Sequence, residues 1–474
     1  MLTTASGLRT RLQHIDAEIC QLENSLQSLR EARTGVLDEL HSLIYPVLSL
    51  PFEITSQIFL HCLPKRLEDP IRPYPSLDEA PLVFTRVCRD WRTVAISTST
   101  LWNHVRIELD SDDRPGHIDS KWVALLDLWL QRSQPQPLSL TLSNWSYTEP
   151  DEALLGVLDR QSRRWRNITF RLPFNHFSRF EEHASLPLLE RLTLSAHGSP
   201  DIINPISAFR HAPILRHVCF EAGMHPSDVF LPWEQLTSVE LYGASADDCL
   251  ELLELAPNIA SCVLDVQYDS HLVARGSPLL SLRAFTFSGP AAWGLLRYIA
   301  MPALQALDLS RCPLDPRNVT QVAQFVTRSA CRLRTLKLYV RGTSAAQTIH
   351  LLYLLPSLTA LGLILAEADT GTAIFQEFIE SGHSSVMLPR VASISVHCMH
   401  DDNHALMFDV VTDALQMRNS DAEPASGGPA RVDSFTLSMD GDARAPSLGI
   451  QRRWQELADA GMELRIGNSS ARWI

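Results

Sequence analysis

One spacing recurs through most of this 474-residue chain. An apolar residue is followed by two variable residues, a second apolar residue, one variable residue and a third apolar residue. The pattern starts at Trp165, Leu189, Leu215, Leu236, Ile259, Leu282, Leu304, Leu333, Leu358, Val391 and Val432. The first eight steps between these starts run from 21 to 29 residues, and the last two are 33 and 41. The closing alternation has the period of a strand with one buried face. Leu138-Ser-Leu140-Thr-Leu142 reads as a candidate leading strand. Pro187, Pro213, Pro257, Pro302, Pro356 and Pro389 each stand two residues before a start, where they mark a turn into the strand. A unit this short cannot bury its own apolar face, so successive units must stack.

Helical patterns fill several of the gaps: Asp247–Leu255, Val319–Thr327, Ala345–Leu355 and Ala373–Glu380. A strand plus a helix at this period resembles a leucine-rich repeat. The core is plainest in Leu304-Gln-Ala-Leu307-Asp-Leu309 and Leu333-Arg-Thr-Leu336-Lys-Leu338. The asparagine or cysteine usual three residues after the last apolar position is mostly absent. His197, Gly223, Ala244 and Gln267 stand there, and only Cys312 conforms. The resemblance therefore implies an irregular α/β solenoid over residues 138–474. A stack of βα units with less curvature is the alternative. A helical pattern at Leu448–Ala460 and the strand-like MELRIG suit a C-terminal cap at about 446–474.

Residues 8–43 carry a heptad. Leu8, Ile15, Leu22, Leu29, Val36 and Leu43 form one row, and Leu12, Ile19, Leu26, Arg33 and Leu40 the other. Such regularity predicts a coiled coil or an equally narrow helix–helix seam within residues 1–46. Tyr45-Pro46 is expected to stop it. A homodimer through residues 8–43 is one reading; a helix folded back on its own chain is the other.

Between these regions, residues 50–107 read LPFEITSQIFLHCLP, a polar insert at 65–80, then PLVFTRVCRDWRTVAISTSTLWNHVRI. Pro51 suits a first helical position and Glu53 a first turn. Ile54, Ile58, Phe59, Cys62 and Leu63 fall on one helical face before Pro64 ends the run. Phe84, Val87, Cys88, Trp91, Val94 and Ala95 repeat that spacing, and Leu101-Trp102 adds an aromatic anchor. Helices this few and short need an outside surface to pack on. The leucine-proline start, the isoleucine-rich helix and V-C-R-D-W-R leading to leucine-tryptophan resemble an F-box. The insert departs from that pattern, in the manner of F-box-like proteins of mushroom-forming fungi.

The resemblance implies a substrate-recognition subunit of a Skp–cullin–F-box ubiquitin ligase. Leu50, Pro51, Ile54, Ile58, Phe59, Val87, Cys88, Trp91 and Trp102 would pack on a Skp-type adaptor, and through it a cullin, or support that packing. A protein target would bind the repeats at outward strand positions such as Arg191, Glu240, Asp308 and Lys337. The alternative is a scaffold without ligase function, dimerising through the heptads.

Other classes find little support. With 41 basic against 54 acidic residues the net charge is −13, which disfavours nucleic acid. The nine cysteines are scattered without C-x-x-C, as in a reducing compartment, cytoplasm or nucleus. No signal-peptide core opens the chain. The longest apolar run, Leu351–Ala366, is broken by Pro356 and too short to span a membrane. No hydrolase, kinase or phosphate-loop motif occurs, so neither catalytic residues nor a cofactor are expected. His397, Cys398, His400, Asp401, Asp402 and His404 crowd into one stretch and are read as a polar loop, not a metal site. The expected organisation is α/β: a heptad helix (1–46), a small all-α F-box-like module (47–108), a helical linker or cap (109–137) and the solenoid (138–474).

Overall fold

A computed structural model describes residues 5–42, 47, 50–63, 78–109, 120–144, 152–180, 185–198, 205–221, 223–268, 279–381, 386–399, 405–420, 429–440, 445–468 and 472–473. Tyr45-Pro46, nearly all of the 65–80 insert, most of the loop 423–430 and His400–His404 lie outside them. The chain divides into two compact units, one ending at Trp102 and the other beginning at Asn103.

The first unit is helical. α1 (Ala5–Ser42) is a single long helix. α2 (Phe52–His61) follows Pro51, whose extended backbone forms the N-cap. The Phe84–Ala95 pattern predicts one helix, but the structure has two. α3 (Phe84–Val87) and α4 (Arg89–Ser97) are separated by Cys88, which is extended at φ −153°. The break is capped: Cys88 Sγ accepts from Trp91 N at 3.5 Å, and Cys88 O from Arg92 N at 3.0 Å. This satisfies donors that a helix start leaves open.

The second unit is an open, solenoid-like α/β array. Among the described residues it has fourteen strands, all parallel and in sequence order. They are β1 (His104–Glu108), β2 (Leu138–Ser143), β3 (Trp165–Pro173), β4 (Arg191–His197), β5 (His217–Phe220), β6 (Ser238–Ser245), β7 (Ser261–Tyr268), β8 (Ala284–Ser288), β9 (Ala306–Leu314), β10 (Thr335–Val340), β11 (Ala360–Leu365), β12 (Ser393–Cys398), β13 (Ser434–Met439) and β14 (Glu463–Asn468). All eleven repeat starts are buried, each with at most 1 % of its surface exposed. After Trp165, each strand opens two residues beyond its start. Strands bury alternate residues: in β10 Leu336, Leu338 and Val340 face the core, and Thr335, Lys337 and Tyr339 do not.

The sheet begins earlier than the sequence pattern placed it. His104–Glu108, assigned to the F-box-like module, is its first strand, and pairs with β2 from His104 to Glu108. The signal was present: Trp102-Asn-His-Val105-Arg-Ile107 has the repeat spacing. Residues 109–137 thus connect two strands, through α5 (Ser120–Arg132).

The second layer is less regular than one helix per repeat. α6 (Glu152–Asp159), α7 (Ala246–Leu255), α8 (Ala292–Leu295), α9 (Asn318–Ser329), α10 (Ala345–Tyr353), α11 (Ala368–Glu380), α12 (Ala405–Ser420) and α13 (Leu448–Asp459) alternate with strands. Between β4 and β5 the described residues hold no helix, and between β5 and β6 only two short 3-10 turns. The long last steps accommodate α11 and α12, of 13 and 16 residues. Arginines tie this layer across repeats. Arg164 donates to Gln136 O and Ser133 Oγ, Arg328 to Ile299 O and Leu296 O, and Arg418 to Leu388 O and Met387 O. These carbonyls at helix ends and turns have no intrahelical partner. Beyond β14, Trp473 N donates to Ile466 O at 2.7 Å, covering part of an edge strand.

Two glycines stand at, or one residue before, positions where the usual asparagine ladder is missing. Gly223 (φ +83°) and Gly289 (φ +98°) bring their backbones against the previous coil. A Cβ there would lie 2.0 Å from Ala196 O and 2.1 Å from Val266 O. Gly342 has φ +65° but open space around it. Gly289→Ala should therefore destabilise the array by about 3 kcal/mol, against about 1 kcal/mol for Gly342→Ala, where only left-handed strain applies. Chemical denaturation of the two variants checks the difference; equal losses would contradict the close approach.

Candidate interaction surfaces

In the first unit an aromatic cluster closes the short helices on each other. Phe59 of α2 stacks on Phe84 of α3 with centroids 4.1 Å apart, and Trp91 of α4 meets Phe59 edge-on at 5.0 Å. Trp102 is fully buried, and its indole donates to Ala95 O at 2.8 Å. Both groups are satisfied, as buried polar atoms must be.

This core divides the sequence-derived adaptor residues. Phe59 and Trp102 are inside and support the fold. Cys88 and Trp91 are half-buried. Leu50, Pro51, Ile54, Ile58 and Val87 are exposed. Residues 54, 58, 59, 62 and 63 do not share one buried face, because α2 turns Thr55, Ser56 and Phe59 inward. Ile54 and Ile58, one turn apart, stay 49 % and 42 % exposed. Phe52 and Ile96 are also exposed, and the pattern had not singled them out. Covering the open part of each isoleucine is worth about 1 kcal/mol.

In the second unit the strand residues that avoid the core form rows across the sheet. Strand register places Glu240, Asp308 and Lys337 in one row, together with Thr193, Cys219, Val263 and Thr286. Arg191 lies in the adjacent row, paired with His217. Three of the four expected target residues are thus aligned. Asp308 and Lys337 are cross-strand neighbours with Oδ2–Nζ at 3.1 Å. The row continues through Gly362, Ser395 and Thr436, small residues of which Gly362 is buried beneath the Lys337 stem.

A second set of groups was not legible as functional. Arg171 holds Glu221 through two hydrogen bonds of 2.6 and 2.7 Å, reaching over β4. Asp265 accepts from Ser288 Oγ and Gln267 Nε2, both at 2.7 Å. Tyr242 donates to Glu240 at 2.8 Å. These positions follow the pattern by one more outward step, which spacing alone could locate but not rank.

Charge on this face is held in its ionised form. Burial would raise the Asp308 carboxyl, but hydrogen bonds from Ser310 and the Lys337 ammonium bring it below the usual range. Asp265 is lowered likewise: Ser288, Gln267 and the Gly243 N–H outweigh burial. Burial, then Glu240, push the Cys219 thiol up to about 12, and burial with the Glu240 hydrogen bond does the same for Tyr242. Neither group is a nucleophile at neutral pH. All nine cysteines are free thiols.

Of the histidine-rich stretch, His397 Nδ1 contacts Ser438 Oγ at 2.9 Å and Nε2 lies 3.4 Å from Asp440. Cys398 is buried, with its thiol 3.9 Å from Met407 Sδ. No metal-binding cluster occurs among the described residues, and no described helix is long and apolar enough to cross a membrane.

No family model matches this chain, and no curated protein matches it. Its fold defines a class, an open α/β array on a parallel sheet, preceded by a separate helical unit.

Asp308 gives a pH test. A lowered carboxyl stabilises the fold above its unfolded value, about pH 3.9, and loses that contribution as pH falls through its folded value. Asp308→Asn should cost less than about 1 kcal/mol at pH 7, since Lys337 is half exposed. Denaturation at stepped pH should show this gap closing below pH 4; a gap that widens on acidification contradicts the assignment.

Proposed function

We propose that this chain is the target-binding subunit of a Skp–cullin–F-box ubiquitin ligase, non-catalytic itself, docking an adaptor through the helical unit and a protein target through the sheet face. The observation that carries this reading is the outward pair Ile54 and Ile58, on a helix whose inner residues are packed on Phe84 and Trp91. Two half-exposed isoleucines one turn apart, with Leu50 and Val87 also exposed, are what a partner of apolar, helical surface would cover. The motif order from Leu50-Pro51 to Trp102 supplies the partner class.

A receptor of this kind contributes proximity. It raises the effective concentration of a target near the ubiquitin-charged enzyme, and needs no catalytic group of its own. The target would be read along the row holding Glu240, Asp308 and Lys337, where the Asp308–Lys337 pair is followed by the small residues Gly362, Ser395 and Thr436. Both signs are present, which favours a mixed polar protein surface over a phosphate-rich one. Cytoplasm or nucleus is the compartment that suits this role.

Co-expression with a fungal Skp-type adaptor, followed by size-exclusion chromatography, tests the reading. The wild-type chain should give a stoichiometric complex. Ile54→Asp/Ile58→Asp should lose it, weakening binding by at least a hundredfold while leaving the circular dichroism spectrum unchanged. Trp91→Ala should also lose the complex, by opening the aromatic cluster. Undiminished binding by the double aspartate variant would contradict the proposed contact face.

A further inference from the structure

α1 carries its heptad rows in the open. Leu8, Leu12, Ile15, Ile19, Leu22, Leu26, Leu29 and Val36 are each between 43 and 69 % exposed. A helix of 38 residues, about 57 Å long, therefore leaves a continuous apolar stripe unburied. The charges that flank this stripe indicate what covers it. At the positions next to the stripe they run basic at Arg9 and Arg11, acidic at Asp16, Glu18 and Glu23, basic at Arg30 and acidic at Glu39; Glu31 and Asp38 lie on the outer face. Such an order is complementary to its own reverse.

We infer that α1 pairs with α1 of a second copy, antiparallel, with Leu26 opposite Leu22 of that copy. In this register Ile19 meets Leu29 and Leu12 meets Val36, so these core layers are apolar. Arg11 flanks Glu39 of the second copy, and Asp16 flanks Arg30, each pair occurring twice. Arg33, the one polar seam residue, lies opposite Ile15, where its stem packs and its guanidinium reaches the edge. Among the flanking charges only Glu23 meets its own copy, at the dyad.

Other arrangements fail on the same residues. A parallel pair in register sets Arg33 against Arg33 in the core and Glu18 against Glu23 on both sides. An antiparallel slip of one heptad puts Arg9 against Arg30 and Asp16 against Glu23. A slip the other way puts Glu18 against Glu39. Like charges at these positions select against a pairing. The inference involves no adaptor and stands apart from the ligase reading.

The test uses the full chain with its exposed thiols removed (Cys20→Ser, Cys62→Ser). Light scattering at tens of micromolar should give a dimer mass. Leu12→Cys/Val36→Cys should form a disulfide-linked dimer under mild oxidation, whereas Leu12→Cys alone should not. Arg11→Glu should weaken the dimer about tenfold, and Arg11→Glu/Glu39→Arg should restore it. A parallel pair would respond differently, since Arg11 would then face Asp16. A monomer, a larger assembly, cross-linking by Leu12→Cys alone, or no rescue by the charge swap would each overturn the inference.

Discussion

Every strand of the sheet depends on its neighbours for its backbone hydrogen bonds, and its apolar side chains depend on the coils before and after for burial. Leu336 and Leu338 illustrate both. Their backbones are laddered to β9 and β11, and their side chains have no exposed surface. Isolated, such a unit would lose more conformational freedom on ordering than its small core returns. Stacked fourteen deep, the units share one continuous core from Val105 to Ile466. The same ladder sets the geometry of the opposite face. Register that aligns Leu307 with Leu336 also aligns Asp308 with Lys337. Surface chemistry on this sheet is therefore ordered by the packing beneath it, and a candidate target site is a row and not a pocket.

The helical unit follows a different economy. Its core is a handful of aromatic rings, Phe59, Phe84 and Trp91, with Trp102 held by Ala95 O. So small a cluster leaves much apolar surface in water. Ile54, Ile58, Val87 and the α1 stripe from Leu8 to Val36 are the result. Read as interaction surfaces, they divide by chemistry. The α2 face is short and apolar, suited to a helical adaptor. The α1 stripe is long and bordered by charges that match their own reverse, suited to a copy of itself.

Strand positions were legible because eleven apolar starts mark the turns into strands, and the backbone obeys them almost to the residue. The first strand was hidden because Trp102 serves two patterns, ending one and beginning another. Helices were less legible. α12 went unread because Met407, Phe408, Val410, Val411, Ala414 and Leu415 are all buried, which blurs the one-sided period a sequence can show. The break at Cys88 was invisible because a thiol cap leaves helical spacing on both sides intact. At the candidate surfaces, spacing located Ile58 and Phe59 together but could not say which faced outward. That depends on where Phe84 and Trp91 stack. The partnership of Arg171 with Glu221 spans 50 residues and arises only from register.

The central claim is that the helical unit docks an adaptor while the sheet remains free for a target. Hydrogen–deuterium exchange of the full chain, alone and with a Skp-type adaptor, tests it most directly. Protection confined to residues 50–63 and 81–102, with β1–β14 unchanged, is the predicted result. Protection centred on the sheet, or none in α2, would contradict it.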